Sequence, residues 1–304
     1  CTRASPDDPD NHERLVMATL NEDKHCLCEK PVAHDFRNTW KAHKLAKSKN
    51  LKTKVGLTFR YAPAMIYMNE LIEDGFIGNP FIFNGFEQNS QFIDPDEPIT
   101  KNDLIPQYEV DEIKVSSLEG YGAPIIDLSL WFMKSGLRRV VGILKNFIPY
   151  RTDSNGNKVR TNIDDGDIYL GEFDSGSICS IQSSYVTVGN YPGIEARAYG
   201  SDGALICRLV EEFDQCQTLY KATPDSVEFQ KIEIPKRFFP PGYTEGESWS
   251  SIFYSNLIQN FMEEIKQGGE ENQGNFEQSA RVQEIINAVE ISHREKRWIT
   301  LPLD

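Results

Sequence analysis

The first 61 residues alternate between helical and strand patterns, and this alternation restricts the fold more than any other feature of the sequence. Residues 11–21 repeat apolar side chains at helical spacing, and the short apolar run at 24–32 is stopped by Pro31, as in a buried strand ending in a turn. A second helical stripe at 36–49 precedes a second predicted strand at 54–61. Strands that are separated by helices run parallel in one sheet, so this part is predicted to be α/β.

Beyond residue 62 the pattern changes. Helices are predicted at 64–74, where Pro63 precedes the first turn, and at 124–134. Strands are predicted at 81–86, 140–148, 168–173, 177–188 and 196–199. Two amphipathic helices close the chain, at 252–266 and 276–294. We therefore expect two domains, residues 1–62 and 63–304, with a mostly antiparallel sheet in the second.

The long segment at 87–118 is polar and shows little periodicity. Loops of that length in compact chains are usually functional or mobile.

Charge and hydropathy exclude several classes of function. The 46 acidic residues outnumber the 32 basic ones and give a formal net charge of −14, which is unsuited to binding nucleic-acid phosphates or an anionic membrane surface. The longest nearly apolar run, 125–133, is too short to cross a bilayer. We therefore expect neither a nucleic-acid nor a membrane partner.

Six cysteines are present, and two of them, Cys26 and Cys28, lie close together in an apolar run. Neither these two nor the five histidines show the spacing of a metal site, so no metal is predicted. Buried reduced thiols are typical of an intracellular protein, and the predicted location is the cytoplasm. A P-loop and a complete G-x-G-x-x-G are both absent, since the stretch from Gly120 is one glycine short and follows a loop.

Several stretches do match one known pattern. Residues 24–31 read KHCLCEKP, with Ser5, Pro6 and His12 upstream, and residues 55–63 read VGLTFRYAP. Further landmarks are Asp164-Asp165 and the stretches at 173–177 and 199–205. Together they resemble the Gfo/Idh/MocA (glucose–fructose oxidoreductase / inositol dehydrogenase) family over essentially the whole chain. The resemblance implies the C-terminal part of a Rossmann-like parallel sheet, followed by an open, mostly antiparallel sheet with helices on one face.

The resemblance also implies a chemistry and a set of residues. Family members transfer a hydride between a nicotinamide, in NAD or NADP, and a sugar or polyol carbon, so an alcohol proton must move as well. Lys30 would orient the substrate hydroxyl from the carboxyl end of a strand, where such sheets bind ligands. The cofactor crevice would be lined by Ser5, Pro6, His12, Glu29, Lys30, Pro31 and Arg60.

Two departures from the family pattern stand out. The glycine fingerprint lies in the family upstream of the segment that Cys1 matches, so we expect a chain lacking the N-terminal part of the Rossmann domain, either a fragment or a member without cofactor function. The family's D-x-x-x-H-x-x-D stretch has no histidine here. One alignment of Asp127 puts Pro124 at the histidine position, and the other puts Trp131 there.

Because neither proline nor tryptophan can accept a proton, Lys30 needs a different partner. The nearest candidates along the chain are Tyr121 and Asp127, although Asp127 can equally be a structural pairing residue. The expected function is an NAD(P)-dependent oxidoreductase of a sugar-like or polyol substrate, forming a homo-oligomer through the C-terminal sheet. The alternative is a non-catalytic binding or assembly subunit that keeps the fold without redox activity.

Overall fold

A computed structural model describes residues 10–96, 113–153, 155–189, 193–210, 217–268 and 273–304. The first lobe consists of α1 (Asp10–Asn21), β1 (Cys26–Cys28), α2 (Phe36–Ser48) and β2 (Thr53–Val55). The strands β1 and β2 pair in parallel, which confirms the predicted α/β arrangement. Both cysteines of β1 point into the lobe's core.

Both strands are shorter than predicted. The predicted strand at 24–32 ends at Cys28, where the chain enters the turn that contains Lys30. The predicted strand at 54–61 ends at Val55, because residues Thr58–Tyr61 form a 3-10 turn instead. That turn buries the Arg60 side chain, which an extended strand would have directed elsewhere.

The second lobe is built on a nine-stranded sheet. Its helices are α3 (Pro63–Glu73), α4 (Ala123–Met133), α5 (Trp249–Gln267) and α6 (Phe276–Glu295). Its strands are β3 (Pro80–Gln88), β4 (Leu137–Lys145), β7 (Gly166–Phe173), β8 (Ile178–Ser184), β9 (Gly193–Gly200), β10 (Ala204–Val210), β11 (Gln217–Ala222), β12 (Gln230–Ile232) and β13 (Ile299–Thr300), and a separate hairpin joins β5 (Tyr150–Thr152) to β6 (Lys158–Arg160).

The strand order is β12-β11-β10-β9-β3-β8-β7-β4-β13. Every pairing in it is antiparallel except that of β3 with β8, which confirms the mostly antiparallel sheet. Along each long strand, buried and more exposed side chains alternate, so one face is packed and the other is open. The packed face holds α3, α4 and α6 in the main hydrophobic core.

Helix α6 belongs to both lobes. Its first residue, Phe276, is 0% exposed in the core of the first lobe, whereas Ile285 and Val289 pack in the core of the second. The chain just before it runs along β2, where the Val55 amide donates to the Gly274 carbonyl at 2.8 Å. The domain division at residue 62 stays a prediction. Helix α6 completes the core of the first lobe, whose other elements all come from residues 10–55. Among the helices of the described residues, none has the length and apolar character to cross a membrane.

The packing of Phe276 predicts a large effect on stability. Replacing Phe276 by Ala should lower the free energy of unfolding by about 3–5 kcal/mol, because it leaves a cavity in the small first-lobe core. The matched control is Phe229→Ala, since the Phe229 side chain is 36% exposed. This variant should lower the free energy of unfolding by only about 0.5 kcal/mol. Urea denaturation followed by circular dichroism measures both, and equal losses would contradict the role of α6.

Candidate active site

Lys30 lies in the cleft between the two lobes. It follows β1 at the carboxyl end of the small parallel sheet and is half-buried. Its Nζ donates to the Gly120 carbonyl at 2.5 Å. Gly120 belongs to the turn at residues 118–122, which precedes α4 in the second lobe. The Lys30 side chain therefore bridges the cleft at the sheet edge where α/β proteins bind their ligands.

Glu29 is held against the end of β2 and against α5. Its Oε1 accepts a hydrogen bond from the Tyr254 hydroxyl at 2.6 Å. A Cβ atom added at Gly56 would lie 2.4 Å from Glu29 Oε2, so the carboxylate fits here only because residue 56 has no side chain. The two strand ends thus meet closely at the predicted cofactor turn.

His12 supports the same turn from α1. Its Nδ1 lies 2.7 Å from the Pro31 carbonyl oxygen, which can only accept, so the proton is assigned to Nδ1. The residue is 2% exposed, and its Nε2 is shielded from solvent without a hydrogen-bond partner in the described part of the chain. A buried acceptor of this kind suits a ligand donor. Ser5 and Pro6, predicted for the same crevice, lie outside the described residues.

Arg60 and Asp127 form a buried ion pair across the lobes. Arg60 Nε and Nη2 donate to the two carboxylate oxygens of Asp127 at 2.8 Å and 2.6 Å, and Nη1 donates to Gln273 Oε1 at 2.9 Å. The guanidinium also lies 4.7 Å from the ring centroid of Trp131. Burial alone lowers the pKa of Arg60, but the Asp127 carboxylate outweighs it and raises the pKa above its ordinary value.

This geometry favours a structural role for Asp127 over the predicted catalytic one. Both of its oxygens are taken by a permanent cation, and the residue is 1% exposed. Arg60, predicted as the far wall of the cofactor crevice, is 4% exposed and is occupied by the same pair.

Tyr121 lies next to Gly120, and its hydroxyl is already engaged. It donates to Gln91 Oε1 at 2.5 Å, and the ring packs edge-on against Tyr185 with 4.8 Å between centroids. The structure therefore brings Tyr121 to the turn that Lys30 contacts, but orients its hydroxyl toward the segment that follows β3.

Sequence reasoning missed the residues that clamp this turn. Glu119 is 8% exposed and accepts hydrogen bonds from His34 Nδ1 at 2.7 Å and from Gln283 Nε2 at 2.8 Å. Lys30 and His34, four residues apart, thus hold two adjacent residues of the turn from the first lobe. The long polar segment at 87–118 precedes this turn in the sequence, but its pattern indicated no contact partner.

Of the two adjacent acids Asp164 and Asp165, the first binds backbone amides at the start of the same turn. Asp164 Oδ2 accepts from the Leu118 amide at 3.0 Å, and its Oδ1 accepts from the Ser116 amide. Burial raises the pKa of Asp164, and the same cause raises the pKa of its neighbour Asp167. Asp165 Oδ2 instead accepts a hydrogen bond from Arg151 Nη2 at 3.2 Å. The packed face of the sheet is therefore polar at the end that faces the first lobe. In the described residues no cluster of three or more metal-ligating side chains is present.

Comparison with known proteins identifies the architecture. A model described as an oxidoreductase family with an NAD-binding Rossmann fold matches residues 1–57. Levoglucosan dehydrogenase of Pseudarthrobacter phenanthrenivorans is 22% identical to this chain, over 96% of the chain and 77% of that protein. Residues 1–57 thus match the model of the Gfo/Idh/MocA oxidoreductase family. The resemblance first seen in residues 24–31 is thereby confirmed.

Solved structures agree on the fold. An oxidoreductase domain protein from Kribbella flavida has a TM-score of 0.83 at 23% identity, covering 97% of this chain and 78% of that one. A levoglucosan dehydrogenase in complex with NADH and L-sorbose also has a TM-score of 0.83, at 21% identity, covering 96% of this chain and 77% of that one.

The residues present fit one end of a dinucleotide. Glu29 and Lys30 lie in one turn at the carboxyl edge of the parallel sheet, and His12 Nδ1 contacts the same turn at the Pro31 carbonyl, an arrangement that suits the nicotinamide ribose. A glycine-rich strand-to-helix turn, which would hold the pyrophosphate, is absent from the sequence. The described residues therefore fit the nicotinamide end and do not by themselves form the pyrophosphate site.

The buried pair gives a test of the role of Asp127. Asp127→Asn should lower the free energy of unfolding by about 3–5 kcal/mol, because it leaves the Arg60 charge buried without its partner. The double variant Arg60→Met/Asp127→Asn should recover part of this loss, since it removes the uncompensated charge. Thermal and urea unfolding measure both. A single variant of normal stability that lacks turnover would instead support the catalytic assignment.

Proposed function

We propose that this chain is part of an NAD(P)-dependent oxidoreductase that transfers a hydride between a nicotinamide and a CH–OH carbon of a sugar-like or polyol substrate. The observation that carries this proposal is the position of Lys30, which follows β1 and reaches across the cleft to the Gly120 carbonyl at 2.5 Å. A cation held at the carboxyl edge of the sheet can contact a substrate lying between the lobes.

The chemistry of Lys30 suits alcohol oxidation. A lysine ammonium has three N–H donors, and one of them is used by Gly120, so two are available to a substrate hydroxyl. Donation to that oxygen stabilises the negative charge that develops as the hydroxyl proton leaves. When bound, the nicotinamide supplies the hydride acceptor or donor.

The substrate class follows from the relatives and from the polar character of this region. Amide and hydroxyl groups of Gln91 and Tyr121 lie beside the Lys30 contact and suit a neutral polyhydroxyl compound. The relative named levoglucosan dehydrogenase, solved with NADH and L-sorbose, supports a sugar-like substrate. The cofactor is NAD or NADP.

A second candidate is a non-catalytic binding or assembly subunit. It is favoured by the tryptophan or proline at the position of the family's histidine. Titrating the chain with NADH and NADPH, while following quenching of its tryptophans, separates the two functions. Saturable binding supports the oxidoreductase, and its absence in a folded chain supports the subunit.

The assignment of Lys30 predicts a specific loss of turnover. Lys30→Met should lower kcat/KM by about 10²–10⁴-fold, because the cation that stabilises the negative charge on the substrate oxygen is removed, while the fold is kept. Lys41→Met is the matched control, since Lys41 lies exposed on α2 of the same lobe. Steady-state assays that follow NADH absorbance measure both. Unchanged turnover in Lys30→Met would reject the role of this residue.

We also propose that a second copy of the chain covers the open face of the sheet. Neighbouring strands there expose large apolar side chains, with Ile143 58%, Ile168 49%, Leu170 47% and Ile178 51% exposed. A contiguous apolar patch of this kind is typical of an interface between protein chains.

A charge in this patch should break the assembly. Leu170→Glu is expected to convert an oligomer into a monomer, because it would bury an unpaired carboxylate at the contact. Val227→Glu is the control, since Val227 is fully exposed away from the patch. Light scattering after size exclusion measures the mass of each. An oligomer that persists in Leu170→Glu would exclude this face.

The cysteines support a reducing compartment, for which we propose the cytoplasm. Cys28, Cys179 and Cys207 are free and buried. Burial raises the pKa of the Cys179 thiol to about 12, so it stays protonated and unreactive.

A further inference from the structure

Glu87 is an acid buried near the end of a strand of the large sheet. It lies at the carboxyl end of β3, on the packed side of the sheet, beside Ser183 of β8. It is 5% exposed, and its Oε2 is shielded from solvent with no hydrogen-bond partner in the described part of the chain. Structural buried carboxylates are normally paired, as Asp127 is here.

Lys30 is the cation that approaches Glu87. The turn at 118–122, to which Lys30 donates, packs against β3 and β8, the strands that carry Glu87 and Ser183. Burial raises the pKa of Glu87 well above its ordinary range, and the charge of Lys30 lowers it in part. Burial thus favours the protonated form of the Glu87 side chain, and the positive charge of Lys30 favours the carboxylate.

The other titratable groups around this position are already engaged. On β7 and just before it, Asp167 and Asp164 interact with each other, and Asp167 also accepts from Ser183. On the turn, Glu119 accepts from His34 and Gln283. Tyr185, beyond β8, lies near the Ser116 hydroxyl. Among the described residues, Lys30 is the one charge that acts on the Glu87 carboxyl.

We propose that Glu87 is the proton-exchanging group that works with Lys30 on the substrate oxygen, a role for which neither Asp127 nor Tyr121 is placed. This inference rests on the proposed function. In carbonyl reduction, Glu87 would give its proton to the substrate oxygen, and a bound reduced nicotinamide would supply the hydride to the carbon. The products would be an alcohol and the oxidised cofactor, with a Glu87 carboxylate left beside Lys30. In alcohol oxidation, the hydroxyl proton returns to that carboxylate.

The first experiment is a titration of the chain without substrate. Difference infrared spectroscopy between wild type and Glu87→Gln should show the carbonyl band of a protonated carboxylic acid at neutral pH. In Lys30→Met that band should persist to higher pH, since loss of a positive charge raises the pKa of a neighbouring acid. Asp167→Asn serves as control, because it removes a different acid and should leave the Glu87 band in place. A band that is missing, or that Lys30→Met does not shift, overturns the proposal.

The second experiment is turnover as a function of pH. Glu87→Gln should lower kcat by about 10²-fold or more and remove one limb of the pH profile of kcat/KM, and Glu87→Asp should restore part of both. An active chain in which Glu87→Gln keeps the wild-type profile overturns the role of Glu87 alone. A chain that is inactive with every sugar and polyol, while its Glu87 titration depends on Lys30, overturns the proposed function instead.

Discussion

The cleft depends on a buried ion pair between the two lobes. Arg60 comes from the 3-10 turn at the end of the first lobe, and Asp127 comes from α4 of the second. Two desolvated charges tolerate little displacement, because either one alone in the interior is strongly unfavourable. The pair therefore holds the lobes at one separation, and the Lys30 contact across the cleft relies on that separation.

A second buried ion pair also helps to hold the two lobes at one separation. Lys54 of β2 is 0% exposed, and its Nζ donates to Glu264 Oε1 at 2.8 Å and to Asn260 Oδ1 at 2.9 Å on α5. Buried pairs add little net stability, but they penalise wrong arrangements. The interface between the lobes is thus specified by charge, whereas the interior of each lobe is specified by apolar packing.

The sequence allowed much of the fold to be predicted, and less of the site. Helical and alternating periodicity found the helices and most long strands, since these patterns repeat within a few residues. Strands β10 to β12 were not predicted individually; in β12, two of three residues are exposed and polar. Lys30 could be predicted as a site residue because its motif is continuous in the chain. Glu87 and Glu119 could not, because their partners lie more than fifty residues away along the chain.

The packing of α6 has a consequence for how the protein is made. Phe276 donates its amide to Thr53 Oγ1 across a separation of 223 residues, and its ring fills the first-lobe core. Chains emerge from the ribosome N-terminus first, at about 5–20 residues per second. The first lobe must therefore wait, with its core unfilled, until α6 has been synthesised. Its folding is coupled to the synthesis of this helix, and chains that stop before Phe276 would expose this apolar surface to chaperones and proteases.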